Sequence, residues 1–198
     1  MDILYGGAFN PPTIAHVSII KFLLEEYKDA NIILLPTNNN YKEHDNIDFS
    51  HRVRMLEIIK GYLKNNRLII SNYELTLDKY YGTYYTLKHF NHPYFVIGSD
   101  QLEKIDQWIK YPEVVIENKF IVIPRKGYNI KNIINNNEVL KEYRNNFTIL
   151  NHFEPINISS TMFRRLGSRE LVLKEIYQYI CEEKLYEVKE CTHMDLSK

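Results

Sequence analysis

Tyr5-Gly6-Gly7-Ala8-Phe9-Asn10-Pro11-Pro12-Thr13-Ile14-Ala15-His16 stands between a short apolar start, Ile3-Leu4-Tyr5, and an apolar-periodic segment over 14–27. Strand, tight glycine-bearing turn and helix, in that order, make an anion site. Gly6 and Gly7 let the backbone come close to a ligand, and the N–H groups of the helix start face it. Thr13 and His16 are three apart, so both project from one side of the first helical turn. Gly-Gly alone is an ordinary feature of a strand-to-helix turn. Two prolines before a Thr-x-x-His at a helix start favour phosphate chemistry.

Working outward, the same alternation runs down the chain. Asn31-Ile32-Ile33-Leu34-Leu35-Pro36 is a second buried strand stopped by proline, followed by a polar loop around Lys42. Ser50 is the expected N-cap of a helix over 51–63, with Val53, Leu56 and Ile58 or Ile59 as its inner face. A third strand is expected over 67–71, a short helix to about 91, and a fourth strand through Pro93-Tyr94-Phe95-Val96-Ile97 into Gly98-Ser99-Asp100. Helical turns follow around Trp108 and over 112–118, then the strand Phe120-Ile121-Val122-Ile123. The Asn- and Lys-rich stretch over 127–146 reads as a largely solvated excursion with a hint of helix at Val139, Leu140 and Tyr143. Phe147-Thr148-Ile149-Leu150 is a last strand, and a closing helix is expected over 168–183.

Strands alternating with helices predict an α/β fold, a Rossmann-like parallel sheet covered by helices on both faces. Such sheets bind ligands beyond the carboxyl ends of their strands. The Gly-Gly loop, the Lys42 loop, the Gly98-Ser99-Asp100 turn and Ser159-Ser160-Thr161 all follow strands and should converge on one edge. No internal repeat is visible. The expected organisation is one domain over 1–186 with a tail over 187–198.

Composition narrows the classes. Lys plus Arg and Asp plus Glu number 25 each, which argues against nucleic acid or an acidic membrane as the main partner. Cys181 and Cys191 are the only cysteines, too few for a disulfide framework or a four-cysteine metal site. With no leader-like start and no bilayer-length apolar run, the chain reads as soluble and intracellular. His44, His51, His89 and His92 lack metal-ligand spacing and read as structural. The Gly-Gly loop is neither G-x-G-x-x-G nor a P-loop, so hydride-transfer cofactors and P-loop hydrolysis find no support.

Three further groups carry candidate chemistry. Ser159, Ser160 and Thr161 can cap a helix or donate to phosphate, with Arg164 one turn on able to reach the same anion. Asp100 can take a ribose diol or serve as a helix cap. Trp108, the only tryptophan, can fill core or offer a face to an aromatic ring.

These residues resemble a known family. The stretch from Gly6 to His16 resembles the (H/T)-x-G-H loop of the nucleotidyltransferases, and Ile158-Ser159-Ser160-Thr161-Met162-Phe163-Arg164 resembles their I-S-S-T-x-x-R motif. Arg52-Val53-Arg54-Met55-Leu56, Thr83-Tyr84-Tyr85-Thr86-Leu87, Gly98-Ser99-Asp100, Trp108 and Leu185-Tyr186 extend the likeness to nicotinate (nicotinamide) mononucleotide adenylyltransferases, nearest the bacterial-type nicotinate enzymes. The chain departs from the pattern where Thr13 stands for a histidine, Ala15 for a glycine and Asn10 for an aspartate. Tyr81-Gly82 also stands for Ser-Tyr, and the Lys42 loop lacks the family's prolines.

The resemblance implies a nucleotidyltransferase fold and a cytoplasmic enzyme of NAD biosynthesis. It would transfer AMP from ATP to nicotinate mononucleotide, with nicotinamide mononucleotide as a further acceptor, and Mg²⁺ would arrive with ATP. His16, Thr13 and Arg164 would be catalytic. Gly7, Ala8, Phe9, Asn10, Lys42, Gly98, Asp100, Arg125, Ser160 and Thr161 would bind ATP, with Thr13, Lys42, Thr161 and Arg164 on the phosphates, Asp100 on the ribose and Arg125 against the adenine. Thr83, Tyr84, Trp108 and Ile109 would form the pyridine pocket. The alternatives are a pantetheine-phosphate or glycerol-phosphate acceptor, or a nucleotide-binding module without turnover. The oligomeric state, a homo-oligomer included, is left open.

Overall fold

Apolar runs too short to span a helix become the strands of one sheet. The structure is a computed structural model that describes residues 1–39, 47–188 and 191. Its elements run β1 (Asp2–Gly7), α1 (Ile14–Glu26), β2 (Asn31–Pro36), α2 (Phe49–Leu63), β3 (Leu68–Ile70), α3 (Thr83–His89), β4 (Tyr94–Gly98), α4 (Ser99–Leu102), α5 (Glu113–Ile116), β5 (Lys119–Ile123), α6 (Ile130–Asn135), α7 (Glu138–Glu142), β6 (Phe147–Ile149), α8 (Ser160–Leu166) and α9 (Lys174–Glu182). The strands lie in the order β3-β2-β1-β4-β5-β6, and every neighbouring pair is parallel. The order reverses direction between β1 and β4, which opens a crevice at their carboxyl ends. None of the described helices is long and apolar enough to cross a membrane.

Both faces of the sheet are apolar, so successive residues of each strand enter two different cores. Ile3, Tyr5, Ile32, Leu34, Val96, Ile121 and Ile123 pack with α1, α2, α8 and α9 on one side. Leu4, Ile33, Leu35, Phe95, Ile97, Phe120 and Val122 pack with α3 to α7 on the other. The carboxyl end of α1 is tied down by Arg67, whose guanidinium donates to the carbonyls of Leu24, Tyr27 and Ala30 at 2.7–2.9 Å. That cation on the helix's open carbonyls fixes the rod that carries His16 at its other end.

Several expectations are corrected. Asp48, not Ser50, caps α2, accepting from the Ser50 N–H at 2.8 Å, so the helix begins two residues early. Its inner face is Phe49, Arg52, Met55, Leu56 and Ile59, with Val53 only half-buried. The 127–146 stretch is mostly ordered into α6 and α7. Asn129 and Asn137 cap these helices, and Ile134 and Leu140 are buried beneath them. A high Asn content there supplies caps rather than disorder.

The expected closing helix is split. Val172 and Leu173 are extended, which separates a 3-10 turn over Arg169–Leu171 from α9. The two cysteines, read as too few for a framework, form one bridge, Cys181–Cys191, with a Cα–Cα separation of 5.2 Å.

Candidate active site

Gly6 and Gly7 turn out to be the end of β1 rather than the turn itself, and neither has a left-handed backbone. A side chain at Gly6 would meet the Phe95 ring at 3.1 Å, so the glycine admits that ring from β4. The residue with positive φ is Phe9, at +48°. Its ring is fully buried and lies 5.2 Å from the His16 imidazole and 5.5 Å from Tyr5. Left-handed backbone is disfavoured for such a residue and persists only where the surroundings dictate it. Ala15 sits inside α1 with ordinary helical backbone, so replacing the family's glycine costs no strain there.

Thr13 is fully buried and N-caps α1. Its backbone N–H donates to His16 Nδ1 at 2.9 Å, and its Oγ1 lies 2.9 Å from the same nitrogen. A backbone amide can only donate, so Nδ1 is the bare nitrogen and the proton belongs on Nε2. Burial first, and the Arg125 guanidinium second, hold the His16 pKa down to about 4. The ring is therefore a neutral hydrogen-bond donor at its outward nitrogen across the physiological range.

This has a measurable consequence for stability. In the unfolded chain the ring titrates near its ordinary 6.5, and in the folded chain near 4. The unfolded state takes up the proton first, so the stability contributed by the neutral ring is complete above 6.5 and is lost as pH falls toward 4. Thermal midpoints recorded between about pH 7 and pH 5 should fall on acidification, and the fall should be shallower in His16→Asn.

The second phosphate motif docks on the first. Ser159 N-caps α8, accepting from the Met162 N–H at 3.1 Å. Ser160 Oγ donates to the Pro11 carbonyl at 2.8 Å, so this hydroxyl joins the two motifs rather than standing open to a ligand. Arg164 Nη1 donates to the Asn10 carbonyl at 2.6 Å, and Nη2 donates to Thr161 Oγ1 at 3.3 Å. The exposed guanidinium thus rests on the loop that leads to Thr13 and His16.

Gly98 is where close approach matters. A Cβ there would fall on the Asp100 carboxylate and within 2.6 Å of Arg125 Nε. Asp100 and Arg125 instead pair across that space, Nε to Oδ1 at 2.9 Å, and the Arg125 N–H donates to Ser99 Oγ at 2.9 Å. Asp100 is therefore not the cap of α4, a position that Gly98 holds. Both partners are partly exposed, so the pair itself adds little stability.

Thr83 and Tyr84 begin α3 after Gly82, which has φ +107°. Any side chain at Gly82 would come within 2.8 Å of Ile109 Cβ, so the glycine lets the segment over 82–84 lie against 108–109. Thr83 Oγ1 shares a hydrogen bond with Tyr80 OH at 2.9 Å, and Tyr84 OH donates to Glu117 Oε2 at 2.9 Å. Trp108 is half-buried with its ring edge-on to Phe95 at 6.2 Å, while Ile109 is 50% exposed. Thr83, Tyr84, Trp108 and Ile109 thus form one patch linked through Phe95 to Gly6. Lys42 and His44 lie outside the described residues.

Three of the other described histidines have structural partners. His51 Nδ1 is 2.7 Å from Tyr179 OH, His89 stacks on Tyr73 at 3.8 Å, and His92 Nδ1 is 2.8 Å from Asn118 Oδ1.

Two residues matter more than the sequence reading allowed. Arg52 is fully buried, with Nε on the Ile47 carbonyl, Nη1 on the Ala8 carbonyl, and Nη2 on the Thr37 carbonyl and Asn39 Oδ1. In the sequence it opens the family-like stretch Arg52-Val53-Arg54-Met55-Leu56 and is an arginine on the apolar stripe of an amphipathic helix, which gives no sign of what it holds. Glu74 is 1% exposed, accepts from Thr86 Oγ1 at 3.1 Å, and has its carboxyl pKa raised by burial. Nothing in the local pattern marks it.

A family model described as cytidylyltransferase-like matches residues 4–166. A protein of Acholeplasma laidlawii named "Probable nicotinate-nucleotide adenylyltransferase" is 36% identical, over 94% of this chain and 98% of its own length. The protein of the same name in Clostridium acetobutylicum is 32% identical, over 92% of this chain and 97% of its own. Among solved structures, the Plasmodium falciparum nicotinic acid mononucleotide adenylyltransferase complexed with NaAD is similar in fold. Its TM-score is 0.74 at 22% identity, covering 96% of this chain and 98% of that one.

Proposed function

The chain belongs to the cytidylyltransferase-like family, and we propose that it is a nicotinate-nucleotide adenylyltransferase, joining AMP from ATP to nicotinate mononucleotide in NAD biosynthesis. The 5′-phosphate of the mononucleotide attacks the α-phosphorus of ATP, a new P–O bond forms, and pyrophosphate leaves. The attacking group is already an anion, so no protein base or covalent intermediate is needed. What remains for the protein is alignment and stabilisation of the charge that shifts onto the α-phosphoryl and leaving oxygens.

The observation that carries this reading is the Thr13 N–H bond to His16 Nδ1, which leaves Nε2–H to donate, together with the seating of Arg164 on the Asn10 carbonyl of the same loop. A fixed neutral donor can bond an ionised α-phosphoryl oxygen through its Nε2–H and keep that proton as charge shifts. Arg164 supplies positive charge to the β- and γ-phosphates, Thr161 a neutral hydroxyl beside it, and Thr13 holds the imidazole in its donor tautomer. Asp100 takes the ribose hydroxyls and Arg125 lies against the adenine, which requires ATP to displace their mutual pair. Thr83, the Tyr84 backbone, Trp108 and Ile109 receive the pyridine ring. Among the described residues no three His, Cys, Asp or Glu side chains gather as a metal set. Mg²⁺ is read as arriving with ATP, where it would neutralise triphosphate charge.

The test is an acceptor panel with ATP, followed by pyrophosphate release. Nicotinate mononucleotide should give the highest kcat/KM, by about tenfold or more over nicotinamide mononucleotide, because the pocket must discriminate a carboxylate from an amide. Turnover of pantetheine phosphate or glycerol phosphate with neither mononucleotide reacting would overturn the assignment.

A further inference from the structure

The 3-10 turn over Leu185–Glu187 reaches back to the first loop. Tyr186 OH donates to Asn10 Oδ1 at 2.6 Å, across 176 positions of sequence. Asn10 is 2% exposed, and its own carbonyl is the one that receives Arg164. The Tyr186 ring stands edge-on to Phe163 at 5.8 Å, and Phe163 directly precedes Arg164 on α8. Burial raises the Tyr186 phenol above its ordinary pKa, against the opposing charges of Arg164 and Arg52. One phenol thus touches Asn10 and packs beside Arg164, where the two phosphate motifs meet.

The backbone that delivers this phenol is costly to make. Lys184, Tyr186 and Glu187 have φ of +53°, +62° and +48°, three left-handed residues of which none is glycine. Such a run persists only when its surroundings over-determine it. Packing against α8 supplies part of that constraint, since a side chain at Gly167 would meet Val188 at 3.2 Å. The Cys181–Cys191 bridge closes over the same turn. Core packing alone would be served by a phenylalanine. What the hydroxyl adds is the hydrogen bond that ties the Asn10 amide to this turn.

We infer that Tyr186 is a positioning residue for adenylyl transfer, acting through Asn10 to fix the loop on which Arg164 rests. This rests on the function proposed above for the same site. In Tyr186→Phe the ring packing survives and the hydroxyl is lost. The expected result is a thermal midpoint within about two degrees of wild type, a kcat lowered about tenfold, and an unchanged KM for the mononucleotide. Affinity for a non-hydrolysable ATP analogue, measured by calorimetry, should weaken about fivefold.

In an Asn10→Ala background the same substitution should change nothing further, because its only route is already broken. Wild-type analogue affinity in Tyr186→Phe, or effects that multiply in the double variant, would overturn the inference. A wild-type chain that binds the analogue but transfers no AMP would defeat the proposed function, while the binding comparison would still judge Tyr186.

Discussion

Replacing His16 with alanine should lower kcat/KM by about 10³-fold, corresponding to roughly 4 kcal/mol of lost transition-state stabilisation, as for removal of one preorganised donor elsewhere. The loss should fall on kcat rather than on the KM for either substrate, because the donor matters most when charge moves on the α-phosphate. The fold should tolerate the change. Part of the residue reaches solvent, and Thr13 stays at the N-cap of α1. Far-ultraviolet circular dichroism and the thermal midpoint at neutral pH check that point. Glutamine at position 16 retains a donor and should recover part of the rate. Near-normal turnover in His16→Ala would remove the residue on which the mechanism turns.

The second large effect is on stability. Arg52→Ala should destabilise the fold by about 3–5 kcal/mol, the range for breaking a buried charged network. Its guanidinium is fully buried, and among the described residues it makes no ion pair. Four acceptors take its hydrogen bonds, from the loops after β1 and β2 and from Ile47 just before α2. Removing the donor strands those carbonyls, at about 1–3 kcal/mol for each that water cannot reach, and leaves a void as well. For a chain of this size the thermal midpoint should drop by about 10 °C or more. Lysine should recover less than half, because one ammonium on a flexible stem cannot bridge both loops as a planar fork does. A wild-type midpoint in Arg52→Ala would mean that the loops hold themselves.

The strands were legible because a parallel sheet buried on both faces writes itself as unbroken apolar runs, as in Ile32-Ile33-Leu34-Leu35 and Phe120-Ile121-Val122-Ile123. The Thr13–His16 relation was legible too, since three-residue spacing at a helix start leaves few arrangements. What failed had physical causes, some local and some long-range. Asparagine is read as solvated loop until its side chain is seen capping, as at Asn129 and Asn137. The split at Val172 keeps the apolar spacing of a continuous helix, so the pattern could not reveal it. Gly6 and Gly7 were credited with the freedom that Phe9 actually carries. Arg52 and Tyr186 depend on partners 44 and 176 residues away, and no window of sequence holds both ends of such a bond.

The central claim is that this chain moves AMP, intact, from ATP to a pyridine mononucleotide. The most direct measurement follows ATP labelled at the α-phosphorus in the presence of nicotinate mononucleotide and Mg²⁺. The label should appear in the dinucleotide, with one pyrophosphate released for each. Label recovered only as free AMP, or unreacted ATP while CTP is consumed, would contradict it.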